Sequence, residues 1–386
     1  MKIYNILDYG VKAGLAELQT KEIQSVLDLC CDGGGKVIFP RGIYRTAGLY
    51  IHSDTTLYLE AGCLIEGSDN CDDYTVFPFP DGMQDRSDME MIRQYYGKLW
   101  AEYRRAIFSA YREQNIAIIG EADSIIDGVN CYDPNGEEGY RGPHGVYLTN
   151  CKNITLHGYT IRHTGNFMHQ LDLCRNTTVT NVTCYGGSDA IHLHHCDDTL
   201  IDSCKFETGD DCIAGIYVTN LRVRRCDLNT SCDVFRIGGV HILVEDCHIH
   251  GPGVWPHRMT VVKGKNDELP RHMGRHNTIC VMIYFASVHY PDPQPSHDIV
   301  FRRCRIECVD RFLIYNPNDL IQSGTHLTEI MLEDVTFTDL NEPSFVFAPE
   351  DAPLTIRMNN VSATFREDAV SDIGIFNGLD PNTHIV

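Results

Sequence analysis

The segments DDTLIDSCKF (197–206), TNLRVRRCDL (219–228) and VHILVEDCHI (240–249) share one pattern, with apolar residues at alternate positions and a single cysteine at the same place in each. The step from Cys204 to Cys226 is 22 residues and that from Cys226 to Cys247 is 21. HDIVFRRCRI (297–306) repeats the pattern with Cys304 after a longer step that holds an insertion. Further members flank these: HSDTTLYLEAG (52–62), QNIAIIGEAD (114–123), KNITLHGYTI (152–161) and NTTVTNVTCY (176–185) before them, LTEIMLEDVTF (327–337) and PLTIRMNNVSA (353–363) after. A period in the low twenties, with β-branched strands and Asn, Asp and Gly turns, is that of a solenoid whose coils bury their apolar rows only by stacking on one another. Leucine-rich repeats share the period, but their spaced-leucine consensus is missing and Val, Ile, Thr and Cys fill the core positions. The expected fold is all-β, a right-handed parallel β-helix with the cysteines in an internal ladder.

This architecture lets 386 residues form one domain, 1–386, where ordinary scaling suggests two or three. Residues 1–50 read as an N-terminal cap and first coil, with LQTKEIQSVLDLCC (18–31) as a capping helix. Segments 77–106 and 251–297 break the repeat and are too long for simple turns, so they are expected to wall one end of a groove.

Composition narrows the function. The formal charge of −21 opposes binding to nucleic acid or an anionic membrane surface, and it disfavours an anionic polymer as substrate unless positive charge is concentrated at the site. Seventeen cysteines without a CxxC, and no apolar run of a secretion signal at MKIYNILDYG, read as reduced thiols in a cytoplasmic protein.

Register arithmetic then locates a site. At a 22-residue step Asp189, Asp211 and Asp233 stack, as do Gln170, His192, Ala214 and Arg236, with Asp172 and His194 beside them. Alternation turns Ile191, Leu193, Ile213, Phe235 and Ile237 inward, so the polar set should face out of one sheet. Asp and Asn are common in β-helix turns as backbone partners, but several aspartates clustered with two histidines and an arginine point to chemistry. TGDDCIA (208–214) adds Asp210 beside Asp211. Glycoside hydrolysis needs one protonated carboxyl and one carboxylate, and neighbouring carboxylates raise one another's proton affinity.

These residues resemble glycoside hydrolase family 28, the polygalacturonase-like inverting enzymes on right-handed parallel β-helices. The resemblance rests on TGDDCIA, on SDA at 188–190 where the family has Asn-Thr-Asp, and on the block from YNILDYGVKAG to YLEAGCLIEGS. It implies Asp210 as general acid, Asp189 and Asp211 as the pair that holds and activates water, and neither metal nor other cofactor. In an inverting site the acid and base are expected about 6.5–9.5 Å apart. The family's Gly-His-Gly aligns with Cys232-Asp233-Val234, placing Asp233 where a histidine is expected, with His192 or His194 as possible substitutes. The family's Arg-Ile-Lys has only loose counterparts in Arg236, Arg258 and Lys263, which favours a neutral or atypical glycoside. Gln170, Asp172, His192, His194, Asp233, Arg236, Arg258 and Lys263 are the expected substrate-binding residues. The substrate is expected to be an oligosaccharide attacked from its end, because the two insertions could close the groove.

Three other readings fit the same residues. A β-helix lyase or transferase could use Arg236 as a base, a metal could sit on His192 and His194, and a non-catalytic sugar-binding solenoid could use Tyr95, Tyr96, Trp100, Tyr103 and Trp255.

Overall fold

In the computed structural model every strand pairing among the described residues is parallel, and consecutive coils stack in register. The described residues are 2–75, 104–136, 140–257, 277–286, 294–319, 322, 324–369, 374–376 and 380–386. Most of the two expected insertions lies outside them. The chain folds as a right-handed parallel β-helix with three ladders.

One ladder carries the site. It runs through His144–Thr149, His169–Asp172 and Ile191–His194 into the starts of the long strands Ile213–Arg224 and Asp233–Glu245. The second ladder contains the repeat read from sequence, including Gln114–Gly120, Lys152–His157, Arg175–Thr180 and Asp197–Asp202. The two long strands pass through the corner and join it to the first. The third ladder is built of short strands such as Thr183–Gly186, Lys205–Thr208 and Asp227–Thr230.

Corners are turned by single residues in the left-handed region. Asn115, Asn153, Asn176, Asp198 and Asn220 have φ between 54° and 56°, a conformation that short polar side chains tolerate best. The amides of Asn153 and Asn176 donate to the Oδ1 of the preceding coil's asparagine at 2.8 Å, a ladder running along the corner.

The interior is apolar and repeats with the coil. Ile191, Ile213 and Phe235 align across three coils and are fully buried. Each such side chain stabilises the fold by about 1.5–3 kcal/mol. Phe235, Phe301, Phe312 and Phe337 form an edge-to-face column with centroids 5.3–5.7 Å apart. Cys204, Cys226, Cys247 and Cys304 form the expected ladder, each thiol donating to a carbonyl such as Val179 O or Ile201 O.

The helix expected within 18–31 covers Thr20–Leu27 and buries Ile23, Val26 and Leu27 on the first coil. The Gln24 side chain accepts from the Tyr50 amide at 2.7 Å and donates to its carbonyl at 3.1 Å, mimicking a further strand.

Candidate active site

The stacking inferred from sequence is present. Gln170 pairs with His192, His192 with Ala214, and Ala214 with Arg236, while Asp172 pairs with His194. Asp233 follows Asp211 by one coil, its carbonyl accepting from the Cys212 amide at 3.3 Å. One carboxylate oxygen from each of Asp189, Asp210 and Asp211 lies within 4.8 Å of the others. The geometry follows from the register: Asp210 and Asp211 enter one coil side by side, and Asp189 sits below them.

The side chains point away from the apolar core but are not solvated as the alternation suggested. Gln170, Asp172, His192, His194 and Asp233 are all buried, because a second layer covers them. The Phe167 ring stacks on His192 at 4.4 Å, and Phe285 lies edge-on to His192 and under the Arg236 guanidinium at 4.5 Å.

Two groups in this layer bind Asp210 directly. Arg141 donates from Nη2 to Asp210 Oδ2 at 2.7 Å, and His257 Nε2 lies 3.2 Å from Asp210 Oδ1. Arg141 also donates to Asn166 Oδ1 at 3.3 Å and lies over Phe167. His257 arrives because the chain at Trp255–His257 lies against the Thr-Gly-Asp-Asp turn: a Cβ on Gly209 would fall 2.1 Å from the Pro256 carbonyl oxygen, so only glycine fits. Ser231 donates its hydroxyl to the Trp255 carbonyl, and the Trp255 ring stacks on Tyr185 with centroids 5.9 Å apart.

These partners separate the aspartates electrostatically. Burial alone would raise Asp210, but His257 and then Arg141 outweigh it and hold the carboxyl well below the usual range. Asp189 is pushed well above that range by burial and then by the charges of Asp210 and Asp211. Asp211 is raised in the same way by burial, Asp210 and Asp233. Asp189 and Asp211 therefore hold their protons more tightly than Asp210 does.

The remaining polar residues form two networks. His192 Nδ1 lies 2.9 Å from Asp189 Oδ2, and burial together with the charges of His194 and Arg236 keeps this imidazole neutral. Asp172 accepts from Tyr147 at 2.8 Å and Gln170 at 2.6 Å and faces His194 Nδ1 at 3.2 Å. Burial would raise Asp172, but His194, Tyr147 and Gln170 outweigh it. The two histidines thus face different carboxylates, Asp189 and Asp172. Arg236, lowered by burial but raised more by Asp211, Asp189 and Asp210, is held as a cation among the aspartates.

Sequence reasoning did not find Arg141 or His257. They lie 69 and 47 residues from Asp210 and outside the repeat, where register arithmetic has no reach. The Gly209 position was the available signal, since a glycine at that turn marks a close backbone approach. Arg258 and Lys263, and the aromatic residues Tyr95, Tyr96, Trp100 and Tyr103, lie outside the described residues.

One oxygen from each of the three carboxyls falls within 4.8 Å of the others, because two aspartates are adjacent in sequence and the third is one coil away. That spacing suits a single bridging water: two hydrogen bonds of about 2.8 Å at a tetrahedral angle place the flanking oxygens about 4.6 Å apart.

Comparison with known proteins agrees with the fold and with the family resemblance. A model of the glycosyl hydrolases of family 28 matches residues 86–233. The exo-poly-α-D-galacturonosidase of Dickeya chrysanthemi is 25% identical over 259 residues, 55% of this chain and 41% of that protein, so the chain spans about two fifths of its relative's length. Two solved structures share the fold at a TM-score of 0.64. The family 28 exopolygalacturonase of Yersinia enterocolitica is 15% identical over all of this chain and 78% of its own. An exopolygalacturonase of Thermotoga maritima is 14% identical over all of this chain and 91% of its own.

Proposed function

We propose that the chain is a glycosyl hydrolase of family 28 and that it hydrolyses a glycosidic bond at the end of a pectic, uronate-bearing oligosaccharide with inversion at the anomeric carbon. The observation that carries the reading is the cluster of three buried carboxyls with opposed proton affinities, one of them fastened to an arginine. The exo preference is supported by the relative in Dickeya chrysanthemi. The acidic chain is compatible with a uronate because cationic side chains are concentrated here: Arg141 and Arg236 are beside the aspartates, and Arg104 is near Tyr147 and Asp172.

Asp210 cannot act as the acid while Arg141 holds it ionised. A substrate carboxylate that engages Arg141 would weaken this pair and raise the proton affinity of Asp210. A proton passing from Asp211 or Asp189 to Asp210 then creates acid and base in one step. Asp210 protonates the leaving oxygen, the ionised neighbour takes a proton from the water held between Asp189 and Asp211, and that water attacks the anomeric carbon. The products are the shortened oligosaccharide and a freed sugar whose new hydroxyl comes from the water.

The test is digestion of pectic and neutral oligosaccharides in heavy-oxygen water by the protein and by Asp210→Asn. Label in the new reducing end, lost in the variant, is the expected result. Unsaturated, ultraviolet-absorbing products would mean a lyase, and retention of sugars without cleavage would mean a binding protein.

A further inference from the structure

Asp210, Cys232 and His257 each present one ligand atom, and these atoms lie within 4.8 Å of one another in the buried wall of the site. A carboxylate, a thiol and an imidazole on separate segments form the mixed donor set that zinc-type ions prefer, whereas calcium would take oxygens alone. The spacing of the nitrogen and oxygen donors suits such an ion. Bonds of about 2.0–2.1 Å to nitrogen and oxygen at a tetrahedral angle put those atoms about 3.3 Å apart. His257 Nε2 and Asp210 Oδ1 are 3.2 Å apart.

The surroundings support the same assignment. Arg141 takes the other oxygen of Asp210 and so aims Oδ1 at His257, the orienting role that an outer partner plays for a metal-binding carboxylate. Thr230 Oγ1 accepts from the Cys232 amide at 3.0 Å and donates to the Asp210 carbonyl, tying the two donor residues together. The next carboxylate, Asp211, is almost fully buried, and its Oδ1 has no hydrogen-bond partner among the described residues. Asp211 also forms a second close group with Cys232 and Asp233. A thiolate and a carboxylate cancel the charge of a divalent ion, and the fourth position stays open to water.

We propose that Asp210, Cys232 and His257 form an inhibitory site for a soft divalent ion of the zinc class. Binding would convert the Cys232 S–H to a sulfur–metal bond, with the proton released to solvent, and would tie up Asp210. The inhibitory consequence rests on the hydrolase reading, while the binding itself does not.

The experiment is a titration of the metal-stripped, reduced protein with Co2+ in the absence of substrate, followed by displacement with Zn2+. One equivalent giving a thiolate-to-cobalt charge-transfer band, abolished in Cys232→Ser and in His257→Gln, is the expected result. A band that persists in both variants, or cobalt bound without one, overturns the proposal. The double variant His248→Ala/His250→Ala controls for the surface group of Asp227, His248 and His250 and should leave the band unchanged. Loss of the band there overturns the proposal as well. Near-ultraviolet circular dichroism verifies that each variant is folded. Against a cleaved substrate, Zn2+ sensitivity should fall at least 10-fold in Cys232→Ser. A protein that shows the band but cleaves nothing retains this site and loses the hydrolase reading; one that cleaves without the band does the reverse.

Discussion

Asp210 and Asp211 are adjacent, yet their replacement should shift stability in opposite directions. Asp210→Asn removes a carboxylate that pairs with Arg141 at 2.7 Å, and both side chains are below one-tenth exposed, at 9% and 6%. Breaking a buried pair by removing one partner costs about 3–5 kcal/mol, and an amide that still accepts one hydrogen bond falls near the lower figure. Unfolding entropy of about 2.1 cal/mol/K per residue gives about 0.8 kcal/mol/K for a chain of this length, so a loss of about 3 kcal/mol lowers Tm by about 4 °C. Asp211→Asn acts the other way. Its folded proton affinity lies above the unfolded one, so at pH 7 the native state bears a cost that a neutral amide removes. Both variants should lose turnover. The assay is thermal and urea unfolding at pH 7 of the two variants, of Arg141→Met and of Asp210→Asn/Arg141→Met. If Asp210→Asn is as stable as the parent, or if the double variant is no more stable than Asp210→Asn, the buried-pair argument fails.

Other outcomes follow from the same geometry. Asp189 and Asp211 give stability that is complete below an unfolded value of about 4 and is lost as pH rises through their higher folded values, while Asp210 gives stability present above that value and lost as pH falls through its lower folded one. Urea midpoints across pH should therefore show Asp189→Asn and Asp211→Asn gaining on the parent as pH rises from about 4, with no gain refuting it. Proton NMR of fresh digests should show the inverted anomer first; the retained anomer would instead mean a covalent intermediate. Trp255→Ala should raise KM several-fold with little change in kcat, since the ring stacks on Tyr185 and lies edge-on to His163; an unchanged KM removes it from the substrate path.

The fold was legible because a solenoid writes its geometry into the sequence as a period. The segments from 52–62 to 353–363 became strands of one ladder, and the stacks 170–192–214–236 and 172–194 came out in the expected register. Asp189 and Asp211 were legible for the same reason, and Asp210 through its place beside Asp211 in TGDDCIA. What the period could not show was the layer above it. Whether His192 and His194 are solvated depends on Phe167, Phe285 and Arg141, which sit on connections that repeat nothing. His257 reaches Asp210 through a contact set by Gly209 and Pro256, a fact of three-dimensional packing with no spacing in the chain.

The Gln24 side chain, which pairs with both backbone groups of Tyr50, has a consequence for assembly. A stack of identical coils has no intrinsic length, and an open terminal coil would template the next chain as readily as its own continuation. By spending one amide on Tyr50 and laying a short helix over the first coil, the protein withdraws that template. The cap thus satisfies the Tyr50 backbone groups that a further coil would otherwise pair with.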